Sequence, residues 1–158
     1  MRRYRTVQAR RTSPEEGLGE LTRLALSIAR SVPGGPSAGI SAYRDETLES
    51  LAWSSPRAKL AEQTQMIALT SPGLTAARSH EPVHVTDLAS SAKWDDYATE
   101  LGYLGIRAVL CHPVALERTV IGVVSVYADR PGGISSSMEQ AVSSASVAAA
   151  ELIARSRN

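Results

Sequence analysis

Apolar residues recur at alternating steps of three and four in two stretches, one near each end of the chain. Leu18, Leu21, Ala25, Ile28 and Val32 predict one amphipathic helix, and Met138, Val142, Ala145, Ala149 and Leu152 predict another. Ser13-Pro14-Glu15-Glu16 marks the start of the first: a serine cap, proline at the first helical position, and Glu16 completing a capping box. Ser136 and Glu139 read as a second such box, and Pro33-Gly34-Gly35-Pro36 stops the first helix in a loop. Between these helices the period shortens. Ala38–Tyr43 and Thr47–Trp53 read as strands around Arg44-Asp45-Glu46. Ile106–Leu116 and Thr119–Tyr127 are rich in Val and Ile and are separated only by Glu117-Arg118, which predicts a second antiparallel hairpin. Pro113 lacks an N–H, so its end of the strand belongs at an edge or a bulge. Gly122 lets another backbone or a ligand come close.

The middle of the chain is broken into shorter pieces. Ser54-Ser55-Pro56 opens a helix through about Gln65, Met66–Thr70 has little pattern, and Ser71-Pro72 opens a helix to about Ser79. Pro82–Thr86 reads as a short edge-like strand. Trp94, Tyr97, Ala98 and Leu101 share a helical face that Gly102 is placed to end. The order predicts an α+β fold: a central, mainly antiparallel sheet, with the long N- and C-terminal helices on one face and the short helices on the other.

Composition narrows the class. The chain has 158 residues, 43% of them apolar, the size of one domain with a real core; phenylalanine is absent, so the core is mainly aliphatic. The single cysteine, Cys111, excludes an internal disulfide and a multi-thiolate metal site, and fits a reducing cytoplasm. No apolar stretch is long enough to span a membrane, and the N-terminus has no apolar segment after its arginines to make a secretory signal. Net charge is +1, but Arg2, Arg3, Arg5, Arg10 and Arg11 leave the remainder at about −4. Residues 1–12 therefore read as a flexible, basic, solvated arm and 13–157 as the folded domain. Nucleic acid, an acidic partner or a membrane surface are the functional alternatives for the arm, and no membrane association is expected of the domain.

No catalytic motif emerges. Cys111 and His112 are neighbours on a predicted strand and point to opposite faces, so they form no thiolate–imidazole dyad. His80 and His84 are separated by Pro82, which favours extended backbone and places them too far apart for a compact metal shell. Asp87 reads as a turn cap, and Asp95 and Asp96 as first-turn acids favoured by the helix dipole. No metal site and no required cofactor follow from the sequence.

The stretches Glu81–Leu88, Trp94, Leu104–Val114 and Ile121–Tyr127, in that order, resemble a GAF domain, most closely the actinobacterial type joined to an RNA-binding ANTAR module. The resemblance runs from Glu15 to about Arg155. It implies a non-catalytic sensory or regulatory domain in signal transduction that binds a small ligand or a signalling partner. The alternatives are a degenerate GAF domain serving only as a dimerisation scaffold, a haem sensor using one of the three histidines, and a GAF-type methionine sulfoxide reductase. That last activity uses several cysteines, and this chain has one. Members of this type often carry a Gly-x-Gly-Pro-Cys-Leu turn where this chain has Leu69-Thr70-Ser71-Pro72-Gly73-Leu74, and a Phe where Ile134 stands. No ANTAR module follows the last helix, which leaves a stand-alone domain and a piece of a longer protein both open.

Two sets of site residues are expected. A ligand pocket would lie on the sheet face away from the terminal helices, lined by Trp94, Tyr97, Val109, Cys111, Val123, Ser125 and Tyr127, with Pro113 on the same face. The terminal helices would supply a homodimer seam through Leu18, Leu21, Ala25, Ile28, Val142, Ala145, Ala149 and Leu152.

Overall fold

The computed structural model describes residues 13–31 and 36–156. The expected basic arm and most of the Pro33–Pro36 loop, with Val32, lie outside them. Ten elements follow one another: α1 (Pro14–Arg30), β1 (Ser37–Arg44), β2 (Thr47–Trp53), α2 (Pro56–Ile67), α3 (Pro72–Ser79), β3 (Val83–Val85), α4 (Asp95–Tyr103), β4 (Ala108–Leu116), β5 (Thr119–Ala128) and α5 (Ser136–Ser156). The strands make one antiparallel sheet in the order β2-β1-β5-β4-β3.

Both hairpins close through two-residue turns with both residues left-handed: Asp45 and Glu46 (φ 53° and 61°), then Glu117 and Arg118 (φ 51° and 79°). That is the type I′ geometry, whose twist matches the strands even without the usual Asn-Gly. Pro113 sits where the sequence placed it. β3 pairs with β4 only as far as Cys111, and the register shifts between Val114 and Ala115.

The capping box at Ser13–Glu16 is formed. The second box is not. Ser135 caps α5, accepting from Met138 N at 3.3 Å, while the Glu139 carboxylate lies 2.7 Å from His84 Nδ1 and ties α5 to the edge strand. Gly102 does not end α4 either. The helix runs one residue further, Gly105 takes φ +77°, and Ile106 N–H caps the Leu101 carbonyl at 3.1 Å. Trp94 belongs to a 3-10 turn just ahead of α4. Asp87 caps the preceding turn, accepting from Ala89 N, Ser90 Oγ and Arg107.

Two apolar cores flank the sheet. On one face α1 and α5 bury Leu21, Ala25, Ile28, Val142, Ala149 and Ile153 against Ile40, Leu110, Val124 and Val126. Gly122 gives α5 room on the sheet: a β-carbon there would meet the Ile153 side chain and the Ser41 carbonyl. The residues expected at a dimer seam take part in this packing. Leu21, Ala25, Ile28, Val142 and Ala149 are buried within the chain's own core, and Ala145 and Leu152 pack partly against it. Only Leu18 is left well exposed, because both helices turn their apolar stripes to their own sheet. The other face carries α2, α3 and α4 over Val109, Cys111, Val123 and Tyr127.

Candidate functional site

α2 places an unusual stripe on the sheet. Its buried positions are Ala58, Ala61, Glu62 and Gln65, at steps of three, one and three along a single face. The two alanines let the helix come close, and the two polar side chains reach inward. Glu62 is 0% exposed. Ser41 Oγ donates to Glu62 Oε1 at 2.7 Å, and the Tyr127 hydroxyl donates to Oε2. Gln65 accepts from Gly73 N at 2.7 Å and donates to Ser125 Oγ at 3.1 Å and to Tyr127 at 3.2 Å. Cys111 Sγ lies 3.3 Å from Ser125 Oγ and 3.7 Å from Gln65 Oε1.

Glu62 has no cation within this network. Burial disfavours its ionised form, and the hydrogen bonds from Tyr127, Ser41 and Gln65 only partly offset that, so its pKa is pushed up to about 7. Burial likewise pushes the Cys111 thiol up to about 12. The Tyr97 and Tyr127 hydroxyls are held well above the ordinary tyrosine value by desolvation, with the neighbouring acidic groups adding to it. The Tyr97 hydroxyl is buried and has no hydrogen-bond partner among the described residues.

All seven expected pocket residues meet between the sheet and α2–α4. Val109, Cys111, Val123, Ser125 and Tyr127 rise from the strands, and Trp94 and Tyr97 come from the α4 side. None is more than 5% exposed, so they are mainly core and network side chains. Glu62 and Gln65 fill the space between them. Neither residue was expected from the sequence, although the 58/61/62/65 spacing carries the signal of a buried helical stripe.

Openings at the periphery of the described residues include two of note. One is a cleft of about 440 Å³ between the end of α2 and the start of α4; Ile67, Ala68 and Leu69 stand on one side, and Asp95, Asp96 and Glu100 on the other. Tyr97 lines it and is the one expected pocket residue to do so. The second is a groove of about 660 Å³ on the opposite sheet face, where His84 and His112 meet the first turns of α5. None of the three histidines lines the α2–α4 cleft. Among the described residues no helix is long and apolar enough to cross a membrane, and no three potential ligands are grouped to hold a metal ion.

Comparison with known families matches residues 15–154 to the family described as GAF domain. A comparison with curated proteins finds no match. Solved structures share the fold. A type II free methionine-R-sulfoxide reductase from Thermoplasma acidophilum superposes with a TM-score of 0.72 at 14% identity, covering 89% of this chain and 94% of that one. A GAF domain region from Geobacter sulfurreducens PCA gives 0.71 at 14% identity, over 90% and 94%. The GAF domain/HD domain protein of Geobacter sulfurreducens gives 0.67 at 17% identity, over 92% and 95%. At these identities the likeness is one of fold.

Proposed function

This chain belongs to the GAF domain family, and from that premise we propose that it is a non-catalytic sensory or regulatory domain that binds a small molecule at the α2–α4 cleft. One observation carries the reading: Tyr97, with a buried hydroxyl lacking any partner, forms part of the cleft wall and adjoins the Glu62–Gln65–Tyr127 network. A ligand in the cleft would pack against Tyr97, whose hydroxyl lies beside Glu62 and Cys111, and so would perturb the network that joins α2 to the sheet. Turnover is not included in the proposal. The only thiol is wholly buried and its pKa is pushed up to about 12, which leaves no reactive thiolate for a reductase. The finer likeness to the ANTAR-linked type, a signalling-protein partner, a homodimer and a cytoplasmic workplace belong to the same proposal.

Mass spectrometry of an extract from natively purified protein, beside its absorption spectrum, tests it. A stoichiometric metabolite that returns to stripped protein and shifts the amide resonances of residues 64–70 and 95–100 is expected. An empty extract together with unmoved resonances would transfer preference to a scaffold without ligand. That second reading has its own support, since Glu62 and Gln65 occupy the space under the helices and satisfy each other's neighbours.

A further inference from the structure

We infer that the α2–α4 cleft takes a small amphipathic organic cation, a protonated alkylamine or arylalkylamine. This rests on the ligand reading above and names the class of ligand.

The walls of the cleft differ in chemistry. On the α2 side Ile67 is 82% exposed and Leu69 92% exposed, with Ala68 between them, so two large aliphatic side chains stand together in water at one rim. On the α4 side stand Asp95, Asp96 and Glu100. Among the described residues none of these carboxylates is in an ion pair. Asp96 and Glu100 are four apart on α4, where like charges repel mildly. Lys93, the one basic residue lining the cleft, holds its ammonium over the Trp94 ring, 5.0 Å from the centroid. Between the walls lies Tyr97, 2% exposed, with its unpartnered hydroxyl.

These features sort ligand classes. A carboxylate or phosphate would meet an excess of negative charge. A purely apolar molecule would cover Ile67 and Leu69 but leave the acids unanswered. An ammonium on an apolar stem answers the α4 acids with its charge and the α2 ledge with its stem. A volume of about 440 Å³ lies within the usual range of small-molecule sites.

The test compares 2-phenylethylamine, 2-phenylethanol and 3-phenylpropionate, each titrated into the 158-residue protein at low salt. Amide shifts and tryptophan fluorescence, which Trp94 reports, give the affinities. The amine is expected to bind with Kd below about 1 mM and at least about tenfold more tightly than the alcohol. Its affinity should fall as salt is raised. A D96N/E100Q double variant, whose changes lie on an exposed helix face, should keep its melting temperature and weaken the amine about fivefold or more. Equal or tighter binding of the alcohol or the propionate would overturn the class, as would amine binding that ignores D96N/E100Q. A co-purified metabolite that shifts the same amides while the amine does not bind would overturn the class and sustain the ligand reading. Silence from the extract and from all three probes would overturn both.

Discussion

Gly39 on β1 lies directly against the carboxyl group of Glu62: a β-carbon at Gly39 would fall on the Glu62 side chain. Gly73 does the same for Gln65, whose amide occupies the place that a β-carbon would take. The polar side chains of α2 thus sit in cradles made by missing side chains on β1 and α3. Gly39→Ala should cost about 1–3 kcal/mol, since it overpacks a closed site. Glu62→Ala empties that site, so Gly39→Ala should cost markedly less in its background. Urea unfolding of both single variants and the double variant gives the coupling; additive losses would show that the two residues do not compete for the same space.

Glu62 also makes stability depend on pH in an unusual direction. Its carboxyl has an ordinary value of 4.5 and is pushed to about 7 in the fold, chiefly by desolvation. The folded state therefore holds a proton that the unfolded state has lost between about pH 4.5 and 7. The stabilising contribution is complete below pH 4.5 and declines as pH rises through 7, by a total on the order of 3 kcal/mol. Glu62→Gln keeps the shape without the charge. The variant should match the parent near pH 5 and melt several degrees higher at pH 8. Parallel melting curves for the two proteins from pH 5 to 8 would show that Glu62 titrates normally.

The fold was more legible in the sequence than the site, for a physical reason. Strand and helix patterns come from the faces that each element turns to the core, and here they were strong: the β4–β5 hairpin, the α1 stripe and the Ser71-Pro72 helix start all stand where the spacing put them. Strand alternation puts Val123, Ser125 and Tyr127 on one face, and the polar groups of Ser125 and Tyr127 argue for the face away from the two apolar terminal helices. The content of the space above them is not legible that way. It depends on Glu62 and Gln65, polar side chains whose type hides the buried stripe they share with Ala58 and Ala61, and on Gly39 and Gly73, whose meaning emerges only when two elements meet. The ends of elements were equally illegible where tertiary contacts chose between alternatives. Glu139 left a capping box for His84, and Gly105 replaced Gly102 as the terminator of α4.

Cys111 should be nearly inert in the folded protein. Its thiol is 0% exposed and its pKa stands at about 12 against an ordinary 9.0. At pH 8 that difference alone lowers the thiolate fraction about a thousandfold. Alkylation by iodoacetamide should therefore be at least about a thousandfold slower in native protein than in urea. A native rate within tenfold of the unfolded one would show that α2 and α3 open readily over the sheet.

The terminal helices remain the place to look for self-association, but the residues that can test it have changed. Ala149 is 0% exposed and faces the chain's own sheet, so Ala149→Glu would bury a carboxylate and unfold the domain rather than dissociate a dimer. Val147 lies two positions earlier on α5 and is 72% exposed, and Leu18 on α1 is 38% exposed. A seam through the outer surfaces of these helices must use side chains of this kind. Val147→Glu should leave the melting temperature within about 1 °C of the parent, as for a surface change. If the helices pair, it should also shift sedimentation at micromolar concentration from dimer toward monomer, because the new charge would face its own symmetry mate across a two-fold axis. A parent protein that sediments as a monomer at about 100 µM would retire the seam altogether, and at that concentration any Kd tighter than about 10 µM would have been seen.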